Sequence, residues 1–551
     1  MRSPGPRRVC RSIAECMIAA AIRISAGSYT YSLAVPPRPL SLRTLRETSP
    51  PVSRPGVSGA AERARGAISD TGDFWRVTDG QVDIGGGRGE VAGMGERQLV
   101  TDIVIVGSGP GGATLAREAA RAGRDVVLLE RGRDWRGSAL YGTYPGALLY
   151  ADRNALLFTA EGLNIIRPLM LGGATSMYCG CAAPPPKWLR ERYGVDVEAD
   201  AETVARELGI APLPPELRGA VSTRVAEAGR ALGMDWQPQD KFMFPRRAEM
   251  NCGARCMLGC RCGAKWNAVE YVDDAVAAGC RLLTRTRARR VITEDGRATG
   301  VVATGPDGEL AVRARSVVIA AGGIGSVELI RGAGVTEAGR GIAMDTTAMV
   351  YGVTRADGMG GDPPMTWSCA DDARGVLFST LIDPWLMYPI IMATKGPRWP
   401  LTWPRWGRTA GVMIKLRDEV SGGIDDDGTI HKGLTSADRE RLADAEQAAR
   451  AILVEAGCRA ASLFMTPLRG THPSATVRIG DAVDTDLQTP IEGLYVCDAS
   501  VFPEALGRPT VLTIIALARR LARRLGSVSE DGTTRPADDA RTTDTHAADQ
   551  L

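Results

Sequence analysis

The sequence predicts an α/β fold organised around a nucleotide-binding β-α-β unit, and three observations carry that prediction. Residues 102–131 read D-I-V-I-V-G-S-G-P-G-G-A-T-L-A-R-E-A-A-R-A-G-R-D-V-V-L-L-E-R: an apolar stretch, glycines spaced G-x-G-x-x-G, an alanine-rich segment, and a second apolar stretch closed by an acid. Residues 316–325, S-V-V-I-A-A-G-G-I-G, again read as a buried strand entering a glycine turn. The 65 glycines among 551 residues suit a fold of many tight turns, in a chain long enough for about two to four domains.

Each element has its reason. The strand at 103–106 runs into Gly107, which permits a tight turn; Gly109 lets backbone approach a pyrophosphate, and Gly112 lets helix and strand pack closely. The N-terminus of the helix that follows faces the phosphates. A second strand at 125–129 delivers Glu130, 18 residues past Gly112, where it can accept a hydrogen bond from a ribose hydroxyl. Residues 171–180, L-G-G-A-T-S-M-Y-C-G, form a loop of small residues suited to close approach by a ligand. A helix at 271–279 ends in glycine, and strands follow at 281–283, 290–293 and 300–304, the last two joined by a Glu294-Asp295-Gly296 turn. Residues 340–470 change texture, holding five of the ten tryptophans among prolines and methionines. Within them a helix starts at the cap T-S-A-D (Thr435, Asp438) and stops at Gly457. The nucleotide fold is therefore interrupted by insertions.

Composition narrows the partners. A formal charge of +3, from 67 basic and 64 acidic residues, argues against nucleic acid and for a small molecule. Residues 1–95 are rich in Arg, Pro, Ser and Gly and read as a disordered extension; Met94 stands just before the first strand as an alternative start. Arg7 and Arg8 precede an apolar run, 16–22, too short for an export signal. Residues 526–551 read as a disordered polar tail, and no apolar run approaches the ~20 residues that span a bilayer. Twelve cysteines in a long chain without a convincing leader imply reduced thiols and a cytoplasmic location.

Four further motifs follow in order: T-H-P-S-A-T-V-R-I-G at 471–480, V-D-T-D-L at 483–487, G-L-Y-V-C-D-A-S-V-F-P at 493–503 and G-R-P-T-V-L-T-I-I-A-L-A at 507–518. With the N-terminal glycines, G-G-A-T-S and A-A-G-G-I-G-S, they resemble the glucose-methanol-choline family of FAD-dependent oxidoreductases from about residue 100 to 525. The resemblance implies a Rossmann-like FAD-binding domain assembled from discontinuous segments (96–150, 263–335, 471–525), with an inserted α+β substrate domain (151–262, 336–470). By the same likeness the pyrophosphate meets Gly107, Gly109 and Gly112, the ribose Glu130, and the adenine the backbone at Ala288. Gly172, Gly173, Asp498 and Ala499 lie along the ribityl and isoalloxazine side, and Arg131, Ser176, Ala321, Gly322, Pro509 and Thr510 complete the cofactor set.

Alcohol oxidation needs a base for the hydroxyl proton and a flavin to take the hydride. Three histidines are present. His546 lies in the polar tail and His431 in a hairpin, whereas His472 stands where the family carries its catalytic histidine. Three departures accompany it. Ala475 replaces a glycine. The second catalytic position falls on Arg508, or on Pro509 without a gap; Arg508 either holds an anion in the site or makes a surface ion pair. Tyr178 replaces an asparagine, and without a histidine in that loop FAD is expected to be non-covalent, a thioether to Cys179 being the alternative.

Cys252, Cys256, Cys260 and Cys262 form C-x3-C-x3-C-x-C, dense enough to suggest zinc or an iron-sulfur cluster but matching neither paired C-x2-C zinc spacing nor a ferredoxin run; by the family resemblance, where similar stretches precede G-A-K, a structural loop without metal is expected. The tryptophans and methionines of 340–470 serve either as core or as the lining of a pocket for a hydrophobic alcohol. The reading is thus an FAD-dependent alcohol dehydrogenase or oxidase with an unknown electron acceptor. Its rivals are an iron-sulfur electron-transfer flavoprotein using the 252–262 cluster, and a flavin-binding protein without turnover.

Overall fold

The computed structural model describes residues 97–245, 255–392 and 399–527, and side chains throughout these except at 399–401 and 527. The expectations for residues 1–95, for Cys252, for His546 and for the tail beyond 527 lie outside the described residues. Strand β1 (Arg97–Val106) is flanked in parallel by β2 (Val126–Leu129), reached through helix α1 (Pro110–Arg121). With both faces covered, the inner halves of these strands are uniformly apolar: Ile103 to Val106 and Val126 to Leu129 are all buried. Pro110 opens α1, where a missing N–H costs nothing. Helix α2 (Tyr144–Tyr150) follows, and α3 (Val269–Ala277) leads back to β3 (Arg281–Leu283), parallel to β2.

The turn at 294–296 joins β4 (Arg287–Glu294) to β5 (Arg297–Gly305), both longer than their sequence pattern predicts because their solvent-facing ends are polar. Strand β6 (Gly308–Ile319) pairs antiparallel with β5 and parallel with β1 along nine residue pairs, then enters helix α4 (Gly322–Gly332).

The chain next builds a nine-stranded sheet. Its centre is β7 (Thr347–Val353), followed by β8 (Trp367–Asp371), β9 (Val376–Thr380) and β10 (Thr409–Leu416), in spatial order β7-β10-β9-β8. Helix α5 (Ser436–Glu455) covers it and starts with the expected capping box: Thr435 accepts from the Asp438 N–H while Asp438 accepts from the Thr435 N–H. The short β11 (Arg469–Gly470) pairs with the start of β7, setting Arg469 opposite Thr347; the β7–β10 register sets Lys415 opposite the same threonine. Finally β12 (Leu494–Val496) returns to the first sheet, where six strands run in the order β3-β2-β1-β6-β5-β4 and β12 pairs with β6 as the seventh, and α6 (Val511–Ser527) packs on α1. Among the described residues, no helix is long and apolar enough to cross a membrane.

Of the tryptophans left open between core and pocket, Trp367 is buried and donates to Thr223 Oγ1 at 3.1 Å, a core role. Trp385 is 49% exposed and packs its ring on Trp403.

Candidate active site

The glycine loop between β1 and α1 is shaped by contacts that forbid side chains. Gly107 has φ +104°, and a Cβ there would stand 2.3 Å from the Ala320 carbonyl oxygen; at Gly112 it would stand 1.9 Å from that of Gly107. Gly111, which sequence reasoning passed over, sits equally tightly against the Cys497 carbonyl at the end of β12. Gly109 differs: an added Cβ meets nothing within 4 Å. Packing within the protein therefore places no demand for glycine there, and the α1 N-terminus stands open beside it to the approach of a ligand.

Glu130 lies behind this loop, 6% exposed. Its Oε2 accepts from the Ser108 N–H and hydroxyl at 3.1 and 2.6 Å, and its Oε1 from the Gly132 N–H at 2.6 Å. The acid thus shapes the loop as well as facing it, with lone pairs left for a ribose hydroxyl. Arg131 follows at the exposed rim, and the Thr286 N–H bonded to the Glu130 carbonyl at 2.8 Å brings buried Ala288 alongside. The Gly172-Gly173 loop reaches the same place: the Gly172 N–H donates to Ser108 Oγ at 3.1 Å, and a Cβ on Gly173 would touch the Gly109 Cα. Ser176 bonds within the loop, to the Leu171 carbonyl.

Asp498 gathers the other side. Its Oδ2 accepts from the Gly322 N–H and Ser326 Oγ at 2.8 and 2.5 Å, an acid at the start of α4, and its Oδ1 from Ser500. The Ala475 N–H bonds the Ala499 carbonyl, and Pro473 lies against Gly323, so the 471–480 loop meets the first turn of α4, which begins after Ala321 with Gly322. Pro509 and Thr510 form the N-terminal approach to α6. Ala475 has φ +58°, which explains a glycine preference at this position.

His472 belongs to a buried polar network. Nδ1 lies 2.7 Å from Asp345 Oδ2, and the side chain retains 26% of its exposure. Asp345, 1% exposed and at φ +47°, accepts from the Gly507 N–H through Oδ1 at 2.8 Å. Its carbonyl accepts from the Thr347 and Thr471 hydroxyls, both at 2.9 Å, and Lys415 Nζ donates to those two hydroxyls at 3.2 and 2.5 Å. Burial first, and the Lys415 ammonium second, push the His472 imidazole below its ordinary pKa, against the upward pull of Asp345. Burial likewise lowers Lys415. Neither Asp345 nor Lys415 belongs to a recognisable motif, but each interrupts an apolar run, A-M-D-T-T-A-M and G-V-M-I-K-L, and a charge there needs a partner.

Arg508 is not gathered in with His472 by its side chain. Its guanidinium pairs with Asp372, in the turn between β8 and β9, at 2.7 Å. Of the two roles considered for it, the ion pair is the one seen. His431 closes its hairpin, 41% exposed, within reach of Asp425 and Glu161.

The cysteine loop is tied to the 172–178 loop by a buried lysine: Lys265 Nζ donates to the carbonyls of Ser176, Tyr178 and Cys256 at 3.1, 2.8 and 2.9 Å. The Cys260 and Cys262 sulfurs lie 3.6 Å apart, and among the described residues no group of three ligand side chains is arranged to hold a metal.

Comparison with known proteins follows the same outline. Models described as GMC oxidoreductase match residues 171–347 and 428–518, and one described as an NAD(P)-binding Rossmann-like domain matches 105–166. A GMC-type oxidoreductase of Mycobacterium tuberculosis is 28% identical over 76% of this chain and 75% of its own. The long-chain-alcohol oxidase FAO4B of Arabidopsis thaliana is 23% identical over 77% of this chain and 67% of its own. Among solved structures, pyridoxine 4-oxidase from Mesorbium loti superposes with a TM-score of 0.60 at 18% identity, covering 77% of this chain and 99% of that one. An Aspergillus oryzae formate oxidase gives 0.58 at 14% identity, covering 79% and 100%.

Proposed function

The chain belongs to the GMC oxidoreductase family and its cofactor is FAD, and from that premise we propose that it oxidises the CH–OH group of an alcohol with His472 as acid–base residue. FAD, when bound, supplies the hydride acceptor at flavin N5. The remaining work falls to the chain. The loops at 107–112 and 172–173 and the α1 N-terminus hold the diphosphate, and Glu130 the ribose. Asp498, Ala499 and the 471–475 loop border the ring side.

One observation carries the reading. His472 engages a carboxylate through Nδ1, which leaves Nε2 as the nitrogen that can accept a hydroxyl proton. With its pKa held below the ordinary histidine value, about 6.5, the ring is neutral at pH 7 and able to do so. Long-chain alcohols are the first substrates to try, since relatives carry that name.

The test is anaerobic stopped-flow reduction of the bound flavin by alcohols ranging from formate-sized and pyridoxine-like to long-chain, followed by admission of air. Substrate bleaches the yellow colour, and a His472→Ala variant with full FAD content loses at least a hundredfold in rate. Reoxidation in air identifies an oxidase. A protein no alcohol bleaches, or a His472→Ala variant that bleaches at the parental rate, defeats the proposal.

A further inference from the structure

The geometry points to a residue that no motif marks: we infer that Asp345 positions His472, fixing the tautomer whose Nε2 is free to take the substrate proton. This rests on His472 being the acid–base group. The carboxylate stands between two donors, the His472 ring at 2.7 Å on Oδ2 and the Gly507 N–H at 2.8 Å on Oδ1. Only an acceptor on both sides satisfies both, and a carboxylate is one.

Asp345 cannot swing away from this task. Asp418 accepts from the N–H groups of Met344, Asp345 and Thr346 at 3.1, 3.3 and 3.3 Å and from the Thr346 hydroxyl at 2.5 Å, clamping the turn in which Asp345 holds its positive φ. From the other side, the His472 and Thr471 N–H groups both bond the Met344 carbonyl, at 2.8 and 3.0 Å. The histidine loop is thus stitched to the backbone on either side of the carboxylate that orients it. Gly507 adds a further link, because its N–H ties the same carboxylate to the segment that leads through Pro509 into α6. A non-glycine residue in the left-handed region, buried and held by this many bonds, marks geometry maintained for function.

Asp345→Asn is the discriminating change. It preserves size, and asparagine tolerates positive φ. The amide, however, offers one acceptor oxygen and one NH2 group. The Gly507 N–H can only donate, so it takes the oxygen, while the NH2 faces Nδ1. His472 then shifts its proton to Nε2 and ceases to be a base. The same swap in a Ser-His-Asp triad costs about 10⁴ in kcat, so flavin reduction should slow by roughly 10² to 10⁴.

Two readouts separate positioning from mere structure. FAD content and the visible spectrum of the folded Asn holoprotein should match the parent while the rate falls. Nitrogen-15 histidine NMR on the parent holoprotein, simplified by there being three histidines, should show His472 protonated at Nδ1. That measurement stands even where the variant folds poorly. An Asn variant within threefold of the parental rate, with His472→Ala inactive, overturns the positioning role and leaves the base intact. An Nε2-protonated His472 in the parent overturns it too. Full activity in His472→Ala removes the base itself, and Asp345 falls with it.

Discussion

Replacing Asp383 by asparagine should destabilise the protein by about 3–5 kcal/mol, the cost of breaking a buried ion pair from one side. Asp383 is 3% exposed, and both its oxygens accept from the Arg469 guanidinium at 2.7 Å; Tyr351 donates its hydroxyl to the same carboxylate. An amide of equal size keeps one acceptor but turns an NH2 towards a guanidinium that has only donors. The charge on Arg469 is then buried without a counter-ion, which places the effect near the top of what single substitutions do. The pH dependence has a definite sign. Burial works to raise the Asp383 pKa, but the charge and hydrogen bonds of Arg469 outweigh it and hold the group below the usual carboxylate value. Its contribution is therefore complete above the unfolded-state pKa of about 3.9 and is lost as pH falls through the lower folded value. Urea denaturation of parent and variant holoprotein, followed by tryptophan fluorescence, should show the full gap at pH 7 and a narrowing one below about pH 4. A loss under 1 kcal/mol at pH 7 would refute the argument. So would a gap that widens in acid.

Gly112→Ala should give colourless protein, since its Cβ meets the Gly107 carbonyl oxygen at 1.9 Å, whereas Gly109→Ala, with nothing within 4 Å, should fold normally yet bind FAD at least tenfold more weakly by fluorescence titration. Lys415→Met removes a cation that lowers the His472 pKa, so the acid limb of the flavin-reduction pH profile should move towards neutrality. A limb moving to lower pH would contradict the sign. Ala475→Gly relieves a left-handed alanine, worth about 1 kcal/mol, and loses a fully buried methyl worth about 0.8 kcal/mol, so its denaturation midpoint should stay within experimental error of the parent.

What could be read from the chain and what could not divide along a physical line. The glycine loop, the α5 cap and the β4–β5 turn are written in adjacent residues, because backbone conformation and local hydrogen bonds decide them. His472 was marked for a different reason, its place in a motif, and its acid–base role is a proposal. Asp345 was not, because its meaning arises only when the β7–β10 and β7–β11 registers bring Thr347, Lys415 and the 469–472 segment to one edge, 127 residues from Asp345 to its histidine. Gly111 shows the same limit, since the Cys497 carbonyl that excludes a side chain arrives with β12. Arg508 was ambiguous because a guanidinium in a loop takes whichever anion the fold presents, and the Asp372 turn is supplied by another strand pair. Long-range partners nonetheless leave a local trace. An aspartate in A-M-D-T-T-A-M and a lysine in G-V-M-I-K-L are charges inside apolar runs, and burying either alone costs more than a marginally stable fold can bear. Such residues have to meet opposite charge or hydrogen-bond partners somewhere, and in this chain, with three histidines, the embedded acid meets the ring of His472.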